Sequence, residues 1–411
     1  MRRPAYLVRI AVALALCQPL IAQRAGAGQR WQMGGMLLGL YGPVAASHTN
    51  YIAARERGFN VVIRAAPEAL PLAEEDQIAA IVKHPLFSGA DSSALDDAQQ
   101  RSRLDDLVQR LKPFASFYGY YLGERVSKTG FAALGRMVAY LRQRDPEHLA
   151  FVGLLPITAS SVELGLPTYQ EYLDEFVKTV DPDLLCYYFT PFASEGDAAL
   201  YLQNLAAVRR KSLEAHLPFA LVVRAGATSR RAGPITPNQL RWLVGTALAY
   251  GARGVTFDPF AGTPKTGGIF VDGVLTELGA AASQLNSGVN HIVGNLLLTT
   301  SQGVYHAGKI LREGEPLPAD AVIEGLSGGE FVIGLFKGDR GQQLAVVCNA
   351  DWERSALALI KLRGAVKNVM EQQLDTGMWR YLEVARKPAA GGSAVLPLSF
   401  KPGEARLLDI R

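Results

Sequence analysis

The sequence predicts an α/β fold, a (β/α)8 barrel over residues 28–299, followed by an antiparallel β-sandwich domain over residues 300–411. Apolar runs typical of buried strands recur about every 34 residues in the middle of the chain, beginning at Phe117, Ala150, Leu184, Phe219 and Gly254. Each gap holds one amphipathic helix pattern, and parallel neighbouring strands require such crossovers. After about residue 300, short alternating runs between turn residues replace this repeat and indicate antiparallel strands.

The first 116 residues supply the remaining strands of a barrel of eight. The predicted elements are, in order, strand Met36–Tyr41, a helix within 47–58, strand Val61–Ile63, a helix around 73–83, a short strand near 81–87 and a helix around 95–112. The five repeating runs are then the fourth to eighth strands, and a helix over 275–289 closes the barrel.

Two of the crossover helices carry clear local signals. Apolar residues in Tyr169–Val180 keep helical spacing throughout. The helix that begins at Pro237 has Thr236 as its N-cap and Gln239 to complete a capping box, and Gly251 follows its end. These signals predict helices between the fifth and sixth strands and between the seventh and eighth.

The C-terminal part contains alternating apolar runs of strand length. They are Phe331–Phe336, Leu344–Cys348, Ala356–Leu362, Val395–Leu398 and Ala405–Ile410. Turn residues separate the runs, which favours neighbouring antiparallel strands in a sandwich of roughly 100 residues.

Residues 1–27 are predicted to be a signal peptide. Arg2 and Arg3 give a positive start, Ile10–Leu16 an apolar core, and Ala25-Gly-Ala27 a cleavage pattern of small residues, with a cut after Ala22 as the alternative. We therefore expect a secreted or periplasmic protein. No later segment is long and apolar enough to cross a membrane.

Composition narrows the possible partners and cofactors. The net charge of +4 is spread thinly, with no run of five like charges, so a nucleic-acid partner is not expected. Cys186 and Cys348, the two cysteines beyond the signal segment, fall in different predicted domains and are expected to be free and buried. The histidines are scattered without metal-ligand spacing, so neither a metal site nor a cofactor is predicted.

The predicted fourth strand ends at two charged residues. Residues 117–122 are apolar or aromatic apart from one glycine, and Glu124 and Arg125 follow before the next helix pattern. Enzymes with parallel barrels keep their chemistry where strands end and helices begin. Glu124 is therefore a candidate catalytic residue, with a solvated loop as the alternative role for both side chains.

Several short motifs resemble those of TIM-barrel glycoside hydrolases of the large retaining clan, especially a bacterial β-galactosidase-like group. The matching motifs are Gly58-Phe-Asn60, Gly119-Tyr-Tyr-Leu-Gly123, Asp145-Pro146, Asp181-Pro-Asp183, Tyr187 to Phe192, Gly251-Ala-Arg-Gly-Val255 and Pro402-Gly-Glu404. The resemblance runs from about residue 36 to the end. It implies a barrel with an accessory sandwich that acts on carbohydrate.

The sequence departs from that family at the catalytic positions. The family usually carries Asp-Glu-Pro or Asn-Glu-Pro after the fourth strand, with Glu as the general acid, whereas this chain reads Glu124-Arg125-Val126. Ungapped counting places Glu124 on the Asp position and Arg125 on the acid. The nucleophilic Glu expected after strand seven is missing from Val222-Val-Arg224-Ala-Gly, and Tyr187-Tyr-Phe-Thr-Pro191 lacks the Asp usual after strand six.

The remaining pair of candidate catalytic carboxylates is Glu124 on strand four and Asp258 on strand eight. Retaining glycosidases need a carboxylate pair about 5 Å apart and inverting enzymes a pair about 6.5–9.5 Å apart. Placed across a barrel mouth, this pair fits the wider separation. The alternative is that Asp258 only caps the turn at Asp258-Pro259.

Aromatic residues near the strand ends are candidate faces for sugar stacking. The candidates are Tyr41, Tyr187, Tyr188 and Phe257. Buried strands are also rich in aromatic residues, so a core role for some of them stays open.

Arginines follow three of the predicted strands. Arg64, Arg125 and Arg224 come after the second, fourth and seventh strands, and Arg230 and Arg231 lie in the seventh loop. These loops open on one face of a barrel, so the guanidinium groups are expected to converge and to bind an anionic ligand such as a uronic-acid-containing saccharide. The alternative for Arg125 is an ion pair with a local acid, Glu124 or Glu163.

These features predict an exported glycoside hydrolase acting on poly- or oligosaccharides, with Glu124 as the leading general acid. The alternative is a non-catalytic carbohydrate-binding barrel, a pseudo-glycosidase that handles envelope polysaccharide. A second carboxylate directed into the mouth near Glu124 favours hydrolysis, and its absence favours binding. A carbohydrate ligand is expected in either case. The sequence does not determine the sugar, the linkage, the stereochemistry or the oligomeric state.

Overall fold

The computed structural model describes residues 30–42, 44–89, 92–190, 192, 196–227, 234–308, 315–339, 341–364, 366–374, 376–386 and 394–411. The predicted signal peptide, Arg230 and Arg231 lie outside these ranges. Within them the chain folds into a barrel followed by two antiparallel sheets.

Eight parallel strands close into a barrel in chain order, with β1 pairing both β2 and β8. The strands are β1 (Leu37–Tyr41), β2 (Val61–Ala65), β3 (Ala79–Lys83), β4 (Phe117–Glu124), β5 (Leu149–Leu154), β6 (Leu185–Phe189), β7 (Phe219–Arg224) and β8 (Gly254–Asp258). This closure confirms the predicted fold class.

Helices cover the outside of the barrel. They are α1 (His48–Glu56), α2 (Leu70–Glu75), α3 (Ala98–Leu111), α4 (Phe131–Arg144), α5 (Ser161–Leu164), α6 (Tyr169–Val180), α7 (Asp197–Ala215), α8 (Pro237–Ala249) and α9 (Glu277–Leu297). The predicted capping box of α8 is present. The Thr236 hydroxyl accepts from the main-chain N–H of Gln239, and the Gln239 side-chain oxygen accepts from the main-chain N–H of Thr236.

The prediction for the third strand was wrong in its boundaries. Helix α2 ends at Glu75, and Gln77 takes a positive φ of 56° that turns the chain. Residues 79–83 then form β3 rather than the end of a helix, because Ala79–Val82 are buried between β2 and β4. Apolar periodicity over five residues does not separate a buried strand from a buried helix.

The C-terminal part forms a sandwich of two antiparallel sheets, after a small sheet of β9 (Ala261–Gly262), β10 (Phe270–Val271) and β11 (Val274–Leu275). One sandwich sheet has the order β12-β14-β15-β21-β17-β18 and the other β13-β16-β20-β19. Their strands are β12 (Thr299–Ala307), β13 (Ile323–Ser327), β14 (Phe331–Gly338), β15 (Gln343–Asn349), β16 (Ala356–Leu362), β17 (Val369–Gln372), β18 (Trp379–Leu382), β19 (Ala385–Arg386), β20 (Ala394–Phe400) and β21 (Ala405–Ile410).

Alternation along the strands builds two different cores. In β14 and β15, Phe331, Ile333 and Val347 face the other sheet, whereas Val332 and Val346 join the core around the barrel helices. The six-stranded sheet is therefore buried on both faces, and it joins the sandwich to the barrel through one continuous apolar layer.

Helix α8 forms most of the junction between barrel and sandwich. Its residues from Leu240 to Ala249 are nearly all buried. A Cβ on Gly334 of β14 would overlap the carbonyl oxygen of Ala249, and one on Gly245 would lie 2.9 Å from the Cys348 Sγ. Helix and sheet therefore approach too closely for side chains at these positions.

Cys186 and Cys348 are free and buried, as predicted. In the described ranges no helix is long and apolar enough to span a membrane.

We expect Gly334→Ala to lower the free energy of unfolding by about 1–3 kcal/mol, because the added methyl group has no space against the main chain of Ala249. Urea denaturation measures the change. Gly325→Ala is the matched control, since Gly325 is also in a strand and a Cβ added there would meet nothing within 4 Å. Equal stability losses in the two variants would contradict the close packing of helix and sheet.

Candidate active site

Side-chain alternation decides which predicted residues reach the barrel interior. Tyr41 and Tyr188 pack in the cluster inside the barrel. Tyr187 and Phe257 are completely buried in the layer between strands and helices. Their neighbours Tyr188 and Asp258 point inward instead, so the sequence-based assignment of Tyr187 and Phe257 to the ligand site is corrected to the core.

Glu124 lies at the end of β4, with partners from two other strands. The Tyr41 hydroxyl donates to Glu124 Oε2, and it lies 3.0 Å from the Tyr121 hydroxyl. Arg64 Nη1 is 3.8 Å from Glu124 Oε1. The side chain of Glu124 is 35% exposed, so its carboxylate meets solvent at the mouth while its inner oxygen is held by phenol groups.

Arg64 is held in a conformation that is unusual for a long side chain. Its φ is +74°, in the left-handed region that glycine prefers. The guanidinium lies over the rings of Tyr41 and Tyr121, at 5.9 and 5.7 Å from the ring centroids. Such cation–π contacts, with the ion pair to Glu124, direct the charge into the mouth.

Asp258 lies at the end of β8 and is mostly buried. The Tyr188 hydroxyl donates to its Oδ2 and accepts from Arg224 Nη1 at 3.4 Å. Burial raises the pKa of the Asp258 carboxyl, and the Glu124 charge raises it further, against the opposing effects of Tyr188, Arg224 and Arg64. The hydrogen bond to Tyr188 ties the Asp258 side chain to β6, in addition to its place at the turn Asp258-Pro259.

The two carboxylates belong to one site. The rings of Tyr41 and Tyr188 meet edge to face with centroids 6.1 Å apart. Their hydroxyls donate to Glu124 and Asp258 respectively, so a chain of contacts links the two carboxylates. Phe151 of β5 stacks with Tyr121 at 6.0 Å and completes an aromatic wall. Asp258 is thus a second carboxylate of this mouth, linked to Glu124 through Tyr188 and Tyr41.

Sequence reasoning missed Tyr121 and Phe151. In β4, Tyr118 and Tyr121 face the interior of the barrel, whereas Tyr120 faces the helices. The pairing of β4 with β3 carries a register shift, since Ala80 pairs with Phe117 and the next residue, Ile81, pairs with Gly119. Such a bulge breaks simple alternation, so the inward position of Tyr121 cannot be read from the spacing of residues in β4.

Arg125 takes the alternative role that the sequence left open. Its Nη2 lies 3.5 Å from Glu163 Oε1, and its side chain is about half exposed. Arg64 and Arg224 do line the mouth, and the Nε of each is buried without a hydrogen-bond partner among the described residues. The structure thus brings two of the three strand-end arginines to the carboxylates.

No family model matches this chain, and no curated protein matches it. Among solved structures it is similar to a β-galactosidase from the psychrophilic Marinomonas ef1, with 9% identity over 64% of this chain and 60% of that chain, and a TM-score of 0.46. It is also similar to a β-galactosidase from the Antarctic haloarchaeon Halorubrum lacusprofundi, with 11% identity, 63% and 59% coverage, and a TM-score of 0.46.

A third similar structure is the cellulose synthase subunit Z from Clostridioides difficile, with 9% identity over 60% of this chain and 99% of that chain, and a TM-score of 0.42. The matched region spans 60% and 59% of the lengths of the two β-galactosidases. At these identities and TM-scores the likenesses have no bearing on the activity of this chain. The chemistry of the site rests on its own residues.

Within the described residues no group of three or more His, Cys, Asp and Glu side chains could hold a metal ion. What the mouth offers is one mostly buried acid, one partly exposed carboxylate, two arginines and a wall of phenol rings. This set can transfer protons and bind polar or anionic groups.

We expect Asp258→Asn to raise the midpoint of thermal unfolding near neutral pH. Folding raises the pKa of Asp258, so stability falls as the pH rises from the ordinary aspartate pKa through the raised pKa of the folded protein. Below the ordinary aspartate pKa the carboxyl is protonated in both folded and unfolded chains, and the gain should vanish. Thermal unfolding at about pH 7 and about pH 3 measures both. Asp320→Asn, at an exposed position, is the control; a pH-independent gain at Asp258 contradicts the burial argument.

Proposed function

We propose that this chain is an exported glycoside hydrolase acting on oligo- or polysaccharides that carry acidic sugars. The observation that carries the proposal is the pair of carboxylates Glu124 and Asp258, which enter one barrel mouth from β4 and β8. Residues 1–27 are proposed as the export signal, which the intact mass of the protein from its native host tests.

The surroundings of the two carboxylates support different roles. Asp258 has a raised pKa because it is buried, so it holds a proton to higher pH than an ordinary aspartate. Glu124 is more exposed and faces the Arg64 guanidinium. We assign Asp258 as the general acid and Glu124 as the general base, a reversal of the role that the sequence first suggested for Glu124.

The places of the two carboxylates favour an inverting reaction, because β4 and β8 lie on opposite sides of the closed barrel. Inverting enzymes leave space for a water molecule between carboxylates about 6.5–9.5 Å apart. Glu124 would take a proton from that water molecule while the water oxygen forms a bond to the anomeric carbon. Asp258 would give its proton to the glycosidic oxygen as the carbon–oxygen bond breaks, so one proton enters and one leaves the pair.

Arg64 and Arg224 support an acidic substrate. The side chain of Arg64 is 27% exposed and lies 3.8 Å from Glu124, and Arg224 donates from Nη1 to the Tyr188 hydroxyl at 3.4 Å. Guanidinium groups bind carboxylates through paired N–H donors, and a partly dry cleft strengthens such bonds. A uronic acid would bind to the terminal nitrogens of these guanidinium groups, beside the reacting bond.

A non-catalytic carbohydrate-binding barrel is the second candidate. It is favoured by the bonds that already occupy both carboxylates, since Tyr41 and Arg64 hold Glu124 and Tyr188 holds Asp258. In a binder these bonds would shape a rigid ligand pocket. Wild-type protein that binds an acidic glycan without releasing reducing ends would establish this alternative.

We expect Glu124→Gln and Asp258→Asn each to lower hydrolysis of an acidic polysaccharide by about 10²–10⁴-fold, with binding retained.

Tyr188→Phe removes the hydrogen bond that lowers the pKa of Asp258, so the basic limb of the pH profile should move to higher pH. Release of reducing ends across a pH series measures both effects.

The matched control for these variants is Asp272→Asn. Asp272 is an exposed aspartate in the turn between β10 and β11, and its positive φ suits asparagine. Unchanged hydrolysis in Glu124→Gln or Asp258→Asn, or a loss of the same size in Asp272→Asn, would rule out the assigned roles.

We expect Arg224→Gln to weaken binding of a short uronic-acid oligosaccharide by about ten- to hundredfold, because a charge-assisted bond is lost. Binding of a neutral oligosaccharide of the same length should stay unchanged. Arg125→Gln is the matched control, since Arg125 pairs with Glu163 away from the carboxylates. Titrations over a salt series measure the affinities, and wild-type binding of neutral glycans alone, with no salt dependence, contradicts the acidic substrate.

A further inference from the structure

A large cleft is lined by residues of α8, α9 and the six-stranded sheet, beside the close contact of α8 with that sheet. Its volume is about 1140 Å³, and its walls come from both helices, the end of α1, β17 and β21. None of the mouth residues Tyr41, Glu124, Tyr188 or Asp258 lines it. We call this cleft the α8–α9 groove.

The groove carries an excess of positive charge. Its cationic residues are Arg55, Arg57, Arg241, Arg380, Lys401 and Arg406, and its carboxylates are Glu56, Glu371 and Glu404. Arg380 and Arg406 both pair with Glu371, the latter with Nη1 at 2.6 Å. Part of the charge is therefore neutralised within the sheet, and a net charge of +3 remains along the groove.

Three arginines of the groove are fixed in place without a neutralising partner. Arg55, Arg57 and Arg241 each donate through Nη1 to a main-chain carbonyl oxygen, at 3.1, 2.8 and 2.8 Å. Among the described residues, neither they nor Lys401 form an ion pair with a carboxylate. Each guanidinium is thus oriented in advance and keeps donors for an anion outside the protein.

We propose that the α8–α9 groove binds a segment of an acidic polysaccharide, as a second carbohydrate site outside the barrel mouth. The choice of a carbohydrate rests on the proposed function. The cationic positions come from the helix side and from the sheet side of the groove, and its lining also includes apolar residues such as Leu285 and Leu374. Spaced uronate groups would meet the guanidinium forks, and the less polar ring faces would lie against the apolar part of the lining.

The lining disfavours a single-stranded nucleic acid as the occupant. None of the described residues that line the groove is Phe, Tyr or Trp, whereas proteins that bind single strands stack the bases on aromatic side chains. Charge alone would attract either polymer. An acidic glycan, which has no base to stack, fits the groove better.

The test measures binding of a long polygalacturonate chain to protein that already carries Glu124→Gln and Arg224→Gln. These two changes remove hydrolysis and weaken ligand binding at the barrel mouth. Arg55, Arg57, Arg241 and Lys401 are then changed to Gln together. A smaller variant, Arg241→Gln with Lys401→Gln, serves if the fourfold variant unfolds early in a thermal scan. The control removes four exposed charges elsewhere, at Arg103, Arg110, Lys178 and Lys337.

We expect the groove variant to lose about tenfold or more in affinity and to show a weaker salt dependence, while the control keeps the affinity of its parent. Equal affinity in groove variant and parent overturns the proposal. Binding of a single-stranded DNA of the same charge as tightly as polygalacturonate also overturns it. Wild-type protein that hydrolyses no glycan refutes the proposed enzyme, whereas groove-dependent binding would still establish this second site.

Discussion

Burial of helix α8 on both sides is the constraint that couples the two parts of this protein. The helix connects β7 to β8 on the outside of the barrel, and it packs against β14, β15 and β21 of the sandwich. Glycines at Gly245, Gly334 and Gly403 allow the main chains to approach where a Cβ would overlap. Since protein interiors are close-packed, the sandwich cannot rotate against the barrel without opening this layer. The groove beside α8 therefore keeps a fixed shape and a fixed arrangement of charges.

Tyrosine hydroxyls organise the mouth in the way that glycines organise the junction. Tyr41 donates to Glu124 and Tyr188 to Asp258, so each carboxylate keeps one fixed bond in a partly dry site. The two groups still differ, because Asp258 is mostly buried and Glu124 reaches solvent. Unequal surroundings of two nearby carboxylates are what general acid–base chemistry requires. Arg64, held with a positive φ beside Glu124, shows that the main chain accepts local strain to place charge there.

Regular spacing made the barrel predictable, and local irregularity limited the prediction of its site. Each repeat of strand and helix left a periodic signal, and the alternating C-terminal strands did the same. Within β6 and β8, however, Tyr188 and Asp258 face the mouth while Tyr187 and Phe257 face the helices. The sequence shows that these neighbours point in opposite directions but not which one points inward, because that depends on the register of the closed barrel.

The distribution of charge on the folded surface was also not predictable from the sequence alone. The net charge of +4 includes no run of five like residues, which argues against a contiguous basic face. Folding nevertheless gathers cations from α1, α8, β18 and β21 into the groove, and from β2 and β7 into the mouth. Residues far apart in the chain thus form two separate positive surfaces. A composition test excludes a basic tail or arm, but only the packing of α8 against the sheet brings Arg241 and Lys401 into one groove with Arg55 and Arg57.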